Sequence, residues 1–154
     1  MALSQAQITM ITRAVGEQGF TRLLGAEILS LDQGMCRLRL RRREELLQQH
    51  GLFHGGVISY LVDNAAAIAA GTLLRPGEDL LSVEFKVNYL RPAKAAQLVA
   101  EARVIKPGRR IVVVSCGVFG WTEEGSSSPT TSLADDHQVA AGLATIAILP
   151  AKPA

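Results

Sequence analysis

The run Gly56–Leu74 (GVISYLVDNAAAIAAGTLL) limits what this chain can fold into more than any other segment. It is long enough for a helix of several turns and apolar on nearly every face, so it must be enclosed. Five alanines (Ala65, Ala66, Ala67, Ala69 and Ala70) keep it slim, which lets surrounding backbone approach closely. The run approaches membrane-span length. However, Asp63 and Asn64 lie near its middle, alanine dominates, and the chain has no second span to pair with it. It therefore reads as the buried helix of a globular domain, with no membrane association. Arg75-Pro76-Gly77 ends it, because proline cannot continue a helix.

The segments around this run supply the enclosure. Residues 4–18 have a helical pattern, with Ser4 as N-cap and Ile8, Ile11 and Val15 on one face. Strands are expected at Ala26–Leu31 and Met35–Arg41, joined by the turn Asp32-Gln33-Gly34. In the second, Cys36, Leu38 and Leu40 alternate with Met35, Arg37 and Arg39. After the helix come Leu80–Leu90, Gln97–Lys106 and Arg110–Trp121, with Pro107-Gly108 as a hairpin turn, and then Val139–Leu149. Residues 123–137, rich in Ser, Thr and Pro, read as a flexible hairpin loop, and residues 150–154 as a frayed tail. Strands joined by hairpins form an antiparallel sheet. The expected architecture is α+β: one domain over residues 1–154, with a curved antiparallel sheet of five to six strands wrapped around a long central helix, plus an N-terminal helix.

Composition narrows the function. A 154-residue chain with 48% apolar residues can build one real core. A net charge of +2, with no long basic run, argues against nucleic acid. Cys36 and Cys116 sit alone in apolar strands without CxxC or Cys/His spacing, so no metal site is expected and the thiols read as reduced. The N-terminal segment is amphipathic and lacks the apolar core of a signal peptide, which makes a cytoplasmic location the expectation.

Two features depart from this bland background. Asp63 places a carboxylate inside an apolar helix, which costs several kcal/mol unless it is solvated or paired. It either points into an inert polar crevice with Asn64 or serves as a base or nucleophile tuned by its surroundings. His54-Gly55-Gly56 opens the same helix. The glycines either allow a tight turn or leave the first amide N–H groups bare for a carbonyl oxygen that becomes an oxyanion. Gly55 and Asp63 are separated by about 12 Å along a helix rising 1.5 Å per residue. No single substrate carbon can touch both in one chain. If they serve one reaction, the site is shared across a two-fold interface.

The stretch Gly51–Gly71 (GLFHGGVISYLVDNAAAIAAG), followed by Leu81–Lys94 (LSVEFKVNYLRPAK), resembles the PaaI-like group of hotdog-fold thioesterases, of phenylacetyl-CoA and 4-hydroxybenzoyl-CoA thioesterase type. The likeness extends over residues 20–122 and 138–149. It implies hydrolysis of an acyl-CoA or aryl-CoA thioester, with coenzyme A as part of the substrate and no further cofactor. It makes Asp63 the general base or nucleophile, Gly55 the amide that polarises the thioester carbonyl, and Gln48 and Ser82 groups that position water or the carbonyl. His54 orders the loop. The threonine that some members carry one turn after the acid is replaced by Ala67. The resemblance also implies a homodimer that shares its sites, commonly paired again into a tetramer.

Several residues are candidates for substrate contact. Gly56 and Asn64 flank the two anomalies. Phe53 and Tyr60, with Phe20, Leu23 and Leu24, could line an apolar acyl pocket. Arg91, Lys94, Lys106, Arg109 and Arg110 lie at strand ends and could meet CoA phosphates. Two rivals share the fold: a non-catalytic acyl-CoA-binding module, which would not need Asp63, and an enoyl-CoA hydratase or dehydratase, which would pair His54 with Asp63.

Overall fold

The computed structural model describes residues 2–122 and 137–150. The expected loop at 123–137, apart from His137, and the tail beyond Pro150 lie outside them. Helix α1 (Gln5–Glu17) begins at Ser4 in a capping box: Ser4 Oγ accepts from Gln7 N–H, and Gln7 Oε1 accepts from Ser4 N–H. A second short helix, α2 (Gly19–Leu24), follows where the sequence reading had only a connection. The Arg22 guanidinium donates to the carbonyls of Gly16 and Glu17, closing the end of α1, and Gly25, at φ 74°, ends α2. Strands β1 (Glu27–Asp32) and β2 (Met35–Arg41) form a hairpin. A single 3-10 turn at Glu44–Leu46 precedes the central helix α3 (Gly55–Gly71). Strands β3 (Asp79–Tyr89), β4 (Gln97–Lys106), β5 (Ile111–Trp121) and β6 (Gln138–Leu149) complete the chain.

The six strands form one antiparallel sheet in the order β1-β2-β4-β5-β6-β3. Its concave face wraps α3. Leu61, Val62, Ala65, Ala66 and Ala69 are fully enclosed against Leu38, Leu98, Val114, Ala144 and Ile146. The small residues serve the close approach anticipated from the sequence. A methyl group built on Gly142 of β6 would lie 2.4 Å from Val62 Cγ1, so only glycine permits this contact. Among the described residues, no helix is long and apolar enough to cross a membrane.

The alternation in β2 falls as expected. Cys36, Leu38 and Leu40 point inward, while Arg37 and Arg39 point outward into ion pairs with Glu101 and Glu27. Partial burial works against ionisation of Glu101, but hydrogen bonds and charge from Arg37 and Arg103 outweigh it and hold the carboxyl below the usual range. The hydrogen bond from Arg39 lowers Glu27 likewise. Burial pushes the Cys36 thiol up to about 12 and raises Cys116 as well, so both are inert core groups.

The end of α3 is tied to the β1–β2 turn by Thr72, which is 3% exposed. Its hydroxyl donates to Ala69 O (2.6 Å) and accepts Gly34 N–H (2.7 Å). Thr72→Val keeps the shape but strands a buried N–H. The expected loss is about 1–3 kcal/mol of unfolding free energy in a denaturant titration, and wild-type stability would contradict this role.

Candidate active site

Gly55, Ser59 and Asp63 are spaced by four and therefore share one stripe of α3. Strand β3 runs antiparallel beside that stripe. Tyr89, at its end, reaches Gly55 and Ser59. Ser82, near its start, donates from Oγ to Asp63 Oδ1 at 2.6 Å. A hydroxyl bonded to a carboxylate contributes about 1.5–3 kcal/mol and fixes the carboxyl plane. Asp63 is thus not sealed in hydrocarbon, as the sequence suggested. It is partly exposed, because β3 is the sheet edge and none of the described residues covers the stripe beyond it.

The start of α3 also differs from expectation. His54 is the N-cap: its Nδ1 accepts from Gly56 N–H at 2.9 Å, so that nitrogen carries no proton. The Gly56 amide, expected to be bare, is therefore committed. His54 N–H donates to Leu46 O, and the His54 carbonyl accepts from Val57. The Gly55 N–H alone of this glycine pair meets no acceptor among the described residues, and it lies at the positive end of the helix dipole.

Gln48 is brought beside this helix start by a small hairpin. A bridge pairs Leu47 with Phe53, Gln48 N–H donates to Leu52 O, and Gly51, at φ 72°, makes the turn. Gln48 Oε1 accepts from His50 N–H, while its Nε2 donates to none of the described residues.

Other candidates take structural places. Asn64 Nδ2 donates to the hydroxyls of Tyr60 (2.8 Å) and Thr21 (3.2 Å), and Tyr60 donates to Thr21 (2.8 Å). This network fastens α2 to α3 and engages the Asn64 Nδ2 and the Tyr60 hydroxyl within the fold. Burial raises the Tyr60 phenol, against the lowering effect of its Thr21 and Asn64 bonds. Phe53 (3% exposed) and Leu24 (8%) belong to the core and line no open pocket in the chain. Phe20 and Leu23 are exposed, with the Phe20 ring edge-on to Tyr60 at 5.4 Å.

The basic candidates separate into two groups. Arg91 and Lys94 follow β3, at the Gly55 end of α3. Arg109 and Arg110 stand with Arg75 and Leu73 around a groove of about 870 Å³ at the opposite end. The helix between them is about 24 Å long. Lys106 closes β4 on the way to that hairpin and is exposed. A second groove of about 490 Å³ lies between α1, α2 and β1, and neither groove contains Gly55 or Asp63. Ser59 and Tyr89 were not picked out from the sequence as site residues. The four-residue spacing of Gly55, Ser59 and Asp63 was the available signal.

Comparison with known proteins agrees with this geometry. Residues 50–125 match the thioesterase superfamily model. A 1,4-dihydroxy-2-naphthoyl-CoA hydrolase of Listeria monocytogenes is 30% identical over 106 residues, covering 69% of this chain and 86% of that protein. A thioesterase family protein from Silicibacter pomeroyi superposes with a TM-score of 0.82 at 30% identity, covering 93% of this chain and 98% of that one. The PaaI protein of the E. coli phenylacetic acid degradation operon shares the fold, with a TM-score of 0.79 at 20% identity over 98% of this chain and 99% of its own. With its six-stranded sheet wrapped around α3, the chain belongs to the hotdog-fold thioesterase superfamily and is a thioester hydrolase.

Proposed function

We propose that the chain hydrolyses acyl-CoA thioesters at a site made by two copies, with Asp63 of one facing Gly55 of the other. One observation carries this reading. The Asp63 carboxylate and the uncommitted Gly55 N–H lie on one helix stripe, about 12 Å apart, beside a sheet edge that has no strand on its far side. For each Gly55 to meet the other copy's Asp63, the two α3 helices must run antiparallel, with the two-fold axis near Ser59. The strand leads to the same place. Tyr89 stands by Gly55 and Ser82 by Asp63, so the middle of β3, near Phe85, faces the axis. Edge-to-edge pairing of β3 with its twin would continue the sheet and cover Leu81 and Val83, which are 62% and 58% exposed in the single chain. Ile111 and Leu143, 43% and 46% exposed on the outer face, support further pairing of dimers into a tetramer.

In this reading the thioester carbonyl accepts the Gly55 N–H at the positive end of α3. Asp63 of the second copy, held by Ser82, either attacks the carbonyl carbon, giving an anhydride that water opens, or takes a proton from the attacking water. On either route the C–S bond breaks and the CoA thiolate leaves and gains a proton. The sum is thioester plus water to carboxylic acid plus thiol, with no cofactor required. One oxyanion donor contributes about 3–4 kcal/mol to such a step. The Gln48 Nε2, which donates to none of the described residues, would orient water. His54 Nδ1 is committed to Gly56, which disfavours the hydratase pairing of His54 with Asp63. A reducing cytoplasm, where CoA esters form and Cys36 and Cys116 stay thiols, suits the reading. Antiparallel helices would also bring Arg109 and Arg110 of one copy to the mouth flanked by Arg91 and Lys94 of the other, around the CoA phosphates.

A panel of acyl-CoA esters with a thiol-detecting reagent tests the chemistry. Asp63→Asn is expected to lower kcat by about 100-fold or more, and near-normal turnover would remove the proposal. Mixing Asp63→Asn with Gly55→Pro chains, proline lacking the N–H yet suiting the first position of a helix, should restore about one quarter of wild-type activity, because half the dimers are mixed and carry one intact site. No recovery after verified subunit exchange would remove the shared site. Charge reversal at Arg109 and Arg110 should raise KM for CoA esters with kcat little changed, whereas an unchanged KM would make them ordinary surface.

A further inference from the structure

Two neighbours of Gly55 have no part in the hydrolysis outlined above. Tyr89 donates from its hydroxyl to Gly55 O at 3.0 Å, and the Ser59 hydroxyl lies 2.8 Å from the same oxygen of Tyr89. A phenol has one proton. With that proton directed at Gly55, Ser59 is the donor in the second bond. The ring also lies against the glycine. A methyl group built on Gly55 would sit 3.1 Å from Tyr89 Oη and 3.3 Å from Cζ. Core packing does not account for this, because Tyr89 is 55% exposed.

Two successive glycines are the least restrained backbone with which a helix can start. In this chain two side chains hold the peptide unit that joins them. The His54 ring takes the Gly56 N–H, and the Tyr89 hydroxyl bonds the Gly55 carbonyl. The Gly55 N–H, without an acceptor among the described residues, belongs to the preceding unit, which meets the held one at the Gly55 α-carbon. We propose that Tyr89, braced by Ser59, is a positioning residue that fixes the direction of the Gly55 amide for polarising the thioester carbonyl. This deepens the hydrolase reading above and rests on it. Stabilisation by an oxyanion donor depends on its direction being set before charge develops. A donor that rotates freely loses that advantage, which appears in kcat rather than in substrate affinity.

The test uses the full-length protein with Tyr89→Phe, which keeps the ring, and Ser59→Ala, which removes the brace. Tyr89→Phe should lower kcat about five- to tenfold with KM within about twofold. Ser59→Ala should lower it less, and the double variant should be little worse than Tyr89→Phe alone, since both act through one hydroxyl. The second readout is the infrared carbonyl band of a ¹³C-labelled, non-hydrolysable ketone analogue of an acyl-CoA, bound to protein carrying Asp63→Asn. With Tyr89 present the band should lie below its position in water, and with Phe it should move back toward that position. Oligomeric mass and Tm are measured alongside. If Tyr89→Phe fails to assemble, Ser59→Ala carries the same comparison. Wild-type kcat in an assembled Tyr89→Phe variant, or a kcat loss with the carbonyl band unmoved, overturns the proposal. Normal turnover by Asp63→Asn, together with a shifted band in Tyr89→Phe, overturns the role given to Asp63 and leaves this one standing.

Discussion

The structure depends on how closely the α3 backbone can approach the sheet. A helix without a polar face must be covered on all sides, and a six-stranded sheet can cover it only by curling tightly. The alanines of α3 and Gly142 of β6 permit that curl, with glycine required where β6 backbone meets Val62. Coverage stops at β3. The strip of helix left open there carries the bare backbone of Gly55 and the polar side chains of Ser59 and Asp63. The position of the proposed site follows from where the enclosure ends.

The same residues divide their duties by what they touch. His54 is an acid–base residue by type, yet its Nδ1 satisfies an orphan amide at the helix start, so its work is local geometry. Asn64 adjoins Asp63 in sequence, but one residue on a helix turns it about 100° away, toward α2 and Thr21. Ser82 is an ordinary strand serine until the curl of the sheet brings it within 2.6 Å of Asp63. Proximity in sequence predicts little here, and the face of each element decides.

Much of the fold was legible from periodicity. The six strands and the Ser4 cap stand within a residue or two of their expected places, and the central helix starts where expected but ends at Gly71, three residues short of Leu74, because each is a local pattern. Helix α2 was not visible, since six residues give no period to read. The strand order was not visible either: β3 follows α3 in sequence but pairs with β6, a choice made by nonlocal packing. Within the site, Asp63 and Gly55 stood out because a charge and paired glycines are anomalous in a greasy helix. Tyr89 and Ser59 did not, because a tyrosine ending a strand and a serine on a helix are commonplace. Of the two partners of Asn64, Thr21 lies 43 residues away, beyond the reach of any local pattern.

The pairing of β3 with β6 has a consequence for how the molecule is made. During synthesis α3 and β3 leave the ribosome well before β6, and β3 has no other strand to bond. Until the last strand arrives, the edge that holds Ser82 against Asp63 has no sheet to belong to. Such long-range closure is slow and leaves an apolar strand unprotected in the nascent chain. The strand that sets Ser82 beside Asp63 therefore gains its sheet partner only once β6 has been made.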